Sequence, residues 1–287
     1  MNKEIIGILH PGEMGVFVAA CARISGNQVL WASDGRSAKT TARAEKHQLT
    51  DVMEIEKICR ECTLIISVCP PHAAEDIART IIENGYKGIY VDANAISPTR
   101  VIKMGMDMAA TGIKFVDGGI IGGPDWEGGR TFLYLSGESA SQVATCFLDS
   151  PLKVYELKGQ VGKASAIKMC YAAYTKGTTA LLSSILATAE YFDVREELKD
   201  RWAGDWPGFD DQAERRVTRV TAKAWRFAGE MEEISTTFKE AGLSGDIHAG
   251  AADVYRRLAM FKDASDTPDL DEVLNTLLNR GNTRMKT

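Results

Sequence analysis

The residues from His10 to Gly15 have the types and spacing of a turn that binds phosphate. An apolar run ends at Leu9, and helix-like sequence continues from Gly15. Where a strand enters a helix through a tight glycine turn, backbone N–H groups and the helix dipole face a pyrophosphate. Gly12 permits close backbone approach, and His10 stands where the G-x-G-x-x-G pattern has its first glycine. A purely structural turn is the alternative, but the position at the first strand–helix junction favours a dinucleotide-binding turn. We therefore predict cofactor contacts from five residues: His10, Pro11, Gly12, Glu13 and Met14.

The end of the second predicted strand bears on which dinucleotide is bound. An acidic residue at this position favours NAD, whereas a nearby arginine favours NADP. Ser33 is small, and Arg36 and Ser37 could hold a 2′-phosphate through charge-assisted hydrogen bonds. Asp34 could instead accept a hydrogen bond from a ribose hydroxyl. We predict NADP as the cofactor and keep NAD as possible.

The elements that must position these residues alternate along the first half of the chain. Strands separated by helices of about ten residues require right-handed crossovers and a mostly parallel sheet. Strands are predicted at 4–9, 28–32, 63–69, 88–91, 114–116 and 131–136, the last after a glycine-rich segment 118–129. Helices are predicted at 15–25, 38–46, 72–84 and 99–110. The fold class is therefore an α/β Rossmann domain, doubly wound.

From about Gly162 onward the sequence becomes helical throughout. Residues 163–192 lack proline and read as one long helix, and 210–241 as a second that stops at Gly242, a C-cap glycine. A loop carrying Gly204, Pro207 and Gly208 is expected between them, and further helices at 247–262 and 270–279. The predicted domains are a dinucleotide-binding domain at 1–158 and an all-α domain at 159–287.

Composition narrows the functional classes. Hydrophobic residues form 45% of the 287-residue chain, which argues against extended disorder. The net charge is -5 and no basic stretch is interleaved with aromatic residues, so we expect no nucleic-acid partner. No apolar run reaches the ~20 residues that span a bilayer, so we expect no membrane partner and a cytoplasmic location.

The cysteines and histidines predict no metal site. The six cysteines are scattered and expected to be reduced thiols. Cys59 and Cys62 form one C-x-x-C pair, but no second ligand pair follows at zinc-site spacing. No H-x-x-x-H pair occurs, and His72 and His248 have no partner pattern.

Five motifs in order resemble the β-hydroxyacid dehydrogenase superfamily, which includes 6-phosphogluconate and 3-hydroxyisobutyrate dehydrogenases. They spread over the first ~170 residues in the family's order. The motifs are His10-Pro11-Gly12-Glu13-Met14-Gly15, Ser67-Val68-Cys69-Pro70-Pro71, Val91-Asp92-Ala93-Asn94-Ala95-Ile96-Ser97-Pro98, Asp117-Gly118-Gly119-Ile120-Ile121-Gly122-Gly123-Pro124, and Gly159-Gln160-Val161-Gly162 followed by Lys168. The second half resembles a less characterised branch with a C-terminal helical domain of unknown function.

The resemblance implies roles for residues in these motifs. Lys168 matches the essential acid/base lysine near the start of the interdomain helix, and a desolvated lysine can accept a proton near neutral pH. Gly122 and Gly123 match a turn whose backbone N–H groups hold a substrate carboxylate. Asn94 matches a position at the nicotinamide side and substrate, although it might only support its own turn. The second motif implies further cofactor contacts from Val68, Cys69 and Pro70.

Two departures from the family pattern leave the substrate open. Ile121 stands where serine is frequent, which suggests a bulkier or less polar substrate. Ala172 replaces the asparagine one helical turn after the lysine, and the neighbouring Tyr171 could supply a hydroxyl or could belong to the core. Both Ile121 and Tyr171 are predicted to contact substrate, with Lys168 and Tyr171 as catalytic residues.

The resulting functional hypothesis is hydride transfer between a nicotinamide cofactor and a small hydroxy acid or related carbonyl compound. The resemblance also implies a homodimer formed through the helical domain. Two alternatives remain: an imine reductase on the same scaffold, because relatives vary the acid/base position, and a non-catalytic sensor that binds NADP.

Overall fold

The computed structural model describes residues 3–262, 264 and 266–279. The chain divides into two compact units, residues 1–169 and 170–287. The division falls between Met169 and Cys170, inside a long helix, whereas the sequence predicted a boundary near Gly159. The first turns of that helix pack on the first unit, as described below.

The first unit alternates strands and helices as predicted. Its strands are β1 Ile5–Leu9, β2 Gln28–Trp31, β3 Thr50–Asp51, β4 Leu64–Ser67, β5 Ile89–Asp92, β6 Lys114–Ile121, β7 Phe132–Ser136 and β8 Lys153–Leu157. Its helices are α1 Glu13–Ile24, α2 Ala38–Lys46, α3 Ile55–Glu61, α4 Ala74–Glu83, α5 Pro98–Ala110, α6 Ala140–Ala144 and the beginning of α7 Lys163–Tyr191.

The eight strands form one sheet in the order β3-β2-β1-β4-β5-β6-β7-β8. Every neighbouring pair is parallel except β6 with β7, which is antiparallel. The order reverses between β1 and β4, and ligands of open α/β sheets bind in the crevice at such a switch point. The predicted Rossmann fold class is confirmed.

The sheet is buried on both faces, as parallel sheets require. One apolar cluster includes Phe17 and Trp31, and a second, formed by alternate residues of the same strands with other helices, includes Ile58 and Tyr90. All four residues are at most 1% exposed. Since burying one such side chain contributes about 1.5–3 kcal/mol, the two clusters fix the sheet that carries the functional residues.

Strand register places the carboxyl ends of β1, β4 and β5 in one row with Asp117, in the middle of β6, and with the last residue of β7. Leu9 of β1 pairs with Ser67 of β4, Ser67 with Asp92 of β5, Asp92 with Asp117 of β6, and Asp117 with Ser136 of β7. We name these five residues the strand-end row. The three central members are fully buried polar side chains, so each needs a hydrogen-bond partner inside the protein.

The sequence-based elements of the first unit were incomplete in five places, one of which is the two-residue β3. The predicted strand 114–116 continues to Ile121, so the start of the glycine-rich segment 118–129 belongs to β6. A Cβ on Gly119 would lie 2.3 Å from the carbonyl oxygen of Ala164, so glycine permits contact with α7 and does not end the strand. The other omissions are α3, α6 and β8, and β8 is half exposed and has a weak hydrophobic signal.

The second unit is helical in its described residues. It contains the rest of α7, then α8 Arg195–Asp205, α9 Phe209–Arg219, α10 Ala224–Glu240, α11 Asp246–Arg257 and α12 Leu270–Leu277. Gly242, just after α10, has φ +78°, which confirms it as the predicted C-cap glycine. None of the helices in the described part of the chain combines the length and apolarity needed to cross a membrane.

Two predictions for the second unit were wrong. The expected loop carrying Gly204 contains α8, which buries no residue and is held by ion pairs such as Lys199–Glu214 at 2.9 Å. The expected single helix 210–241 breaks after Arg219, where a 3-10 turn covers Thr221–Lys223. β-Branched residues cluster at this break, and the Thr221 hydroxyl donates to the Thr218 carbonyl at 2.7 Å, competing with the helical pattern.

Candidate functional site

The turn after β1 has the backbone shape that a glycine would normally supply. His10 has φ +64°, in the left-handed region that few residues other than glycine adopt easily. Its carbonyl accepts a hydrogen bond from the Gly12 N–H at 2.7 Å. A Cβ on Gly15 would lie 2.3 Å from that same carbonyl oxygen, so Gly15 must be glycine for α1 to approach β1. His10 thus occupies the geometry of the missing first glycine.

The N-terminus of α1 is open toward a ligand. Gly12 is its N-cap and supplies no side-chain cap, so the first N–H groups of the helix lack intrahelical acceptors. A Cβ on Gly12 would approach only the His10 carbonyl oxygen, at 4.0 Å. The described residues therefore leave room for a phosphate in front of Gly12, and Glu13 and Met14 follow in the first turn. The predicted cofactor contacts of these residues stay a prediction.

Two buried polar atoms beside this turn have no hydrogen-bond partner in the described residues: Nδ1 of His10 and Nε of Arg36. Burial, followed by the charge of Arg36, lowers the pKa of His10 to about 4, so its imidazole is neutral at pH 7. Burial lowers the pKa of Arg36, and Cys69 and Asp34 raise it. An anionic ligand at the turn would supply acceptors to both residues, so this corner fits a dinucleotide phosphate.

Ser33, Asp34 and Ser37, which also follow β2, show no comparable buried polar atom without a partner among the described residues. Ser37 is the N-cap of α2, and its hydroxyl accepts from the Thr40 N–H at 3.3 Å. Ser33 accepts the Arg36 N–H at its carbonyl, 3.0 Å away, and Asp34 is exposed. Ser37 could donate to a phosphate oxygen only with a hydroxyl that also accepts the cap hydrogen bond from Thr40.

Asn94 ties together the ends of β4 and β5. Its Oδ1 accepts from the Cys69 N–H at 2.6 Å, and its Nδ2 donates to Ser67 Oγ at 3.2 Å and to Asp92 Oδ2 at 2.7 Å. The side chain is 3% exposed. Both amide hydrogens are engaged within the protein, so a contact from Asn94 to a ligand would use the second lone pair of Oδ1 or the backbone. Its role beyond supporting the turn stays a prediction.

Two groups of this network have strongly shifted pKa values. Burial raises the pKa of Asp92 to about 7, and the nearby Asp117 adds to the rise, while hydrogen bonds from Asn94 oppose it. Burial also raises the pKa of the Cys69 thiol to about 12, so Cys69 is a neutral thiol and not a nucleophile. Cys69 therefore presents its backbone and a weakly polar surface at the carboxyl end of β4, beside the half-buried Val68 and the exposed Pro70. The predicted cofactor contacts of these three residues stay a prediction.

Asp117 anchors the start of α7. Its Oδ2 accepts from Ser136 Oγ at 2.9 Å and from the N–H groups of Gly162, Ala164 and Ser165 at 2.9, 2.9 and 3.1 Å. Its Oδ1 accepts from Ser165 Oγ at 2.7 Å. A carboxylate at a helix N-terminus satisfies donors that the helix cannot satisfy itself. Asp117 thereby fixes where α7 begins relative to the sheet.

Lys168 lies against β6 because of this anchor. A Cβ on Gly119 would be 2.3 Å from the Ala164 carbonyl oxygen and 3.3 Å from Lys168 Cβ. The missing side chain at Gly119 lets the first turns of α7 rest directly on the strand, with Lys168 half-buried. Lys168 therefore packs beside Gly119, which precedes Ile121 by two residues on β6.

The turn after β6 is a closed, internally bonded loop. Gly122 has φ +106°, and a Cβ there would lie 2.4 Å from the Arg130 carbonyl oxygen. Asp125 is buried and accepts from the Arg130 N–H at 2.9 Å, and the Thr131 hydroxyl donates to the Gly123 carbonyl. A Cβ on Gly123 would meet no heavy atom within 4 Å, so its backbone faces open space.

Trp126, at the far side of this loop, packs against the cofactor half of the unit. Its ring stacks on His47 at 4.5 Å between centroids and meets Phe17 of α1 edge-on at 5.1 Å. His47 is the C-cap of α2. The loop that carries Gly122 and Gly123 is therefore held by its own hydrogen bonds and by the packing of Trp126.

The predicted site residues fall into four groups, one of which is Ser33, Arg36 and Ser37 after β2. The turn residues, with Val68, Cys69 and Asn94, meet at the carboxyl edge of β1, β4 and β5. Lys168 and the residues Ile121–Gly123 lie along β6. Tyr171 belongs to the second unit and is 51% exposed, so its predicted role stays untested.

Sequence reasoning overlooked residues that hold the site together. Asp92 and Asp117 entered the sequence analysis only as members of motifs. An aspartate that follows an apolar run in itself indicates a buried carboxylate that needs hydrogen-bond donors. Arg43 of α2 donates to the Pro11 carbonyl at 3.5 Å, and nothing in the local pattern indicated it. Among the described residues no group of three or more His, Cys, Asp or Glu side chains could hold a metal ion.

Substitutions at Gly12 and Gly15 should separate cofactor binding from folding. We expect Gly12→Ala to keep the melting temperature but weaken dinucleotide binding about tenfold or more, since the methyl group enters the phosphate space. Gly15→Ala should instead destabilise the fold by about 1–3 kcal/mol through the clash with His10. Calorimetric titration with NADPH and thermal unfolding measure the two effects. Equal binding by wild type and Gly12→Ala would contradict the assignment of the turn.

His10 should make stability depend on pH on the acidic side. Its pKa is about 4 in the folded chain and 6.5 in the reference state, so the unfolded chain binds the proton more readily. The titration of His10 alone leaves stability unchanged well above pH 6.5 and lowers it as the pH drops toward 4, by less than about 1.4 kcal/mol per pH unit. Asp92, whose pKa is raised to about 7, acts in the opposite direction and does so equally in wild type and variant. His10→Asn tolerates the left-handed backbone and should flatten this slope in urea unfolding. His248, whose pKa burial also lowers, leaves a residual slope in both proteins.

Comparison with known proteins matches both halves of the chain to described families. Residues 5–146 match the NAD binding domain of 6-phosphogluconate dehydrogenase, and residues 189–258 match a domain of unknown function, DUF1932. An uncharacterized 28.5 kDa protein of Methanothermus fervidus is 31% identical over 166 residues, 57% of this chain. The match spans 62% of that relative, less than two thirds of its length.

Solved structures share the fold over nearly the whole chain. A conserved protein of unknown function, described as similar to 3-hydroxyacid dehydrogenases, is 27% identical with a TM-score of 0.65, covering 89% of this chain and 98% of its own. A 3-hydroxyisobutyrate dehydrogenase of Mycobacterium tuberculosis is 16% identical with a TM-score of 0.69, covering 96% and 99%. The predicted resemblance is confirmed: residues 5–146 are similar to the NAD binding domain of 6-phosphogluconate dehydrogenase, and residues 189–258 are similar to a domain of unknown function.

Proposed function

We propose that this chain is an NAD(P)-dependent oxidoreductase that transfers hydride between NADP and a small hydroxy acid or related carbonyl compound. The observation that carries the proposal is the position of Lys168. It lies against Gly119 of β6, two residues before Ile121 and the turn Gly122–Gly123, on a helix anchored by Asp117. A proton-transfer group and an anion-binding backbone therefore lie along the same strand.

In this proposal the cofactor accepts or supplies the hydride, and the chain handles binding and the proton. The turn at His10–Gly15 holds the pyrophosphate at the start of α1. Backbone N–H groups at Gly122 and Gly123 bind the substrate carboxylate, and Ile121 limits the polarity around it. Lys168 Nζ takes the hydroxyl proton during oxidation and returns one to oxygen during reduction. Tyr171 supplies a further hydroxyl in place of the family's asparagine.

The preference for NADP is supported by Arg36. Its Nε is buried without a hydrogen-bond partner in the described residues, beside the neutral His10. A 2′-phosphate would place negative charge where the arginine lacks an acceptor, and charge-assisted hydrogen bonds are about twice as strong as neutral ones. The exposed Asp34 is free to accept from a ribose hydroxyl, so NAD remains a weaker ligand in the proposal.

The domain roles are part of the same proposal: residues 1–158 bind the cofactor, and 159–287 contribute substrate contacts and dimerisation. A homodimer through the helical unit is supported by large apolar side chains on its surface. Leu181 is 59% exposed, Tyr174 70% and Ile247 78%, and Leu181 and Ile247 line one cavity of about 490 Å³. Monomers seldom leave such side chains clustered in contact with water.

Replacing Arg36 should change cofactor choice. We expect Arg36→Ala to weaken NADPH binding about tenfold or more, with little change for NADH, because only NADPH carries the 2′-phosphate. Lys39→Ala removes an exposed cation from the same segment and serves as the control. Fluorescence enhancement of each reduced cofactor measures the dissociation constants. Parallel losses for both cofactors would move the 2′-phosphate contact away from Arg36.

Replacing Lys168 should remove turnover and keep the cofactor. Hydroxy acids, aldehydes and cyclic imines are screened with NADP(H), and Lys168→Ala is then tested on the active compound. We expect its turnover to fall about 100-fold or more, the usual contribution of general acid–base catalysis, with NADPH affinity nearly unchanged. Lys163→Ala, an exposed lysine on the first turn of α7, should keep full turnover.

Three results would count against the proposal. Retained turnover in Lys168→Ala would reassign the acid/base. Activity with cyclic imines but with no hydroxy acid would replace the dehydrogenase by an imine reductase. Binding of neither nicotinamide cofactor at millimolar concentration would overturn the oxidoreductase as a whole.

A further inference from the structure

The helical unit contains a cavity whose lining is strongly basic. It has a volume of about 560 Å³ and lies among α7, α9, α10 and the 3-10 turn between the last two. Its lining includes four cationic side chains and neither an aspartate nor a glutamate. The lining residues are Thr179, Gln212, Arg215, Arg216, Arg219, Val220, Lys223 and Phe227. We name this the basic cavity.

The break between α9 and α10 creates this arrangement. Arg215, Arg216 and Arg219 lie within the last turns of α9, where residues three and four apart are neighbours. The 3-10 turn then brings Lys223 and Phe227 to the same cavity. Cations in a last helical turn also interact favourably with the helix dipole, but that interaction does not require them to line one cavity.

Arg216 is held in place by neutral groups. Its Nη2 donates to the hydroxyls of Thr178 and Thr179 at 2.7 and 2.8 Å and lies 3.2 Å from the Thr175 carbonyl oxygen. None of these acceptors is a carboxylate, and in the described residues Nε and Nη1 make no further hydrogen bond. The guanidinium is therefore oriented while its charge stays uncompensated. A fixed, planar arginine suits recognition of a phosphate or carboxylate.

Within the described part of the chain, only Arg215 among the four cationic side chains of the basic cavity has a carboxylate partner. Asp211 reaches only the exposed Arg215, at 3.7 Å. Glu230 pairs with Lys176, whose Nζ lies over the Phe227 ring. Within the described residues neither Arg219 nor Lys223 forms an ion pair. Like charges gathered in one concave region repel one another and attract a counter-ion.

We propose that the basic cavity binds an organic phosphate of the size of a sugar phosphate or mononucleotide. Clefts of about 300–1,000 Å³ hold small molecules, so the cavity is larger than inorganic phosphate needs. Arg216, Arg219 and Lys223 bind the phosphate, and Val220 with the Phe227 ring contacts the remainder of the molecule. Gln212 to Phe227 lie within the segment that matches the domain of unknown function. The proposal thus assigns that domain a ligand, separately from the dinucleotide turn.

Titration calorimetry of the full chain with ribose 5-phosphate, at low salt, tests the proposal. Titrations are made with and without saturating NADPH, so that occupation of the dinucleotide turn is controlled. If NADPH does not bind, the proposed function fails, but the titration without it still reports on the basic cavity. We expect binding of ribose 5-phosphate in both conditions, none of ribose, and affinity that falls with added salt.

A double substitution with a charge-matched control locates the site. Arg219→Gln with Lys223→Gln should weaken ribose 5-phosphate binding about tenfold or more, since hydrogen bonds to charged groups are lost. Arg201→Gln with Lys239→Gln removes the same charge from exposed positions elsewhere in the unit and should leave affinity within about twofold. Circular dichroism melting verifies that both variants fold. Equal weakening by both pairs, no weakening by the first, or no measurable binding of the phosphate would each overturn the proposal.

Discussion

The arrangement of the first unit depends on one buried carboxylate, that of Asp117. Burying a carboxylate costs several kcal/mol unless donors surround it, and five hydrogen bonds at 2.7–3.1 Å do so here. Three of these donors are backbone N–H groups at or just before the first turn of α7. The carboxylate can be satisfied only when β6, β7 and the start of α7 are together. Burial of this charge therefore selects the geometry that brings Lys168 to the sheet.

The same logic extends along the strand-end row. Ser67, Asp92 and Asp117 are fully buried neighbours on adjacent strands, and Asn94 links the first two. Partially satisfied polar networks cost more than an apolar core, whereas satisfied ones fix a single arrangement. A row of valines at these positions would also hold the sheet together. It would not determine where each strand end and its following turn lie, and those turns carry the predicted site.

The sequence predicted the fold well where local patterns and global constraints agree. Strands β1 to β7, except the two-residue β3, follow from apolar runs and crossover rules, as do helices α1, α2, α4 and α5. The half-exposed β8 and the surface helix α8 were not predicted, because neither has a clear stripe of buried apolar residues. Gly119 and the extension of β6 escaped because a glycine that accommodates a neighbouring helix looks, in sequence, like one that ends a strand. Such contacts are set by tertiary packing and cannot be inferred locally.

The candidate site was predicted in part for the same reason. The turn His10–Gly15 is a contiguous pattern with a physical mechanism, and its geometry follows from β1 and α1. The residues that support the candidate site include Asp117, Arg43 and Trp126. Each contacts residues that lie tens of positions away in the chain, so a single sequence does not identify the pairings. The basic cavity was missed altogether, because it depends on a helix break that β-branched residues and one hydroxyl produce.

The loop between β6 and β7 has an entropic consequence for molecular recognition. Asp125 with Arg130, Thr131 with Gly123, and the stacking of Trp126 on His47 restrain it from within and from outside. A loop that is already ordered loses little conformational freedom when a ligand arrives, so more of the contact energy remains as affinity. Glycine has the greatest backbone freedom of any residue, but the contacts around this loop restrict that freedom at Gly122 and Gly123. A ligand bound at Gly122 and Gly123 would then be selected by a loop shape that exists before binding, and the loop would not need to rearrange around it.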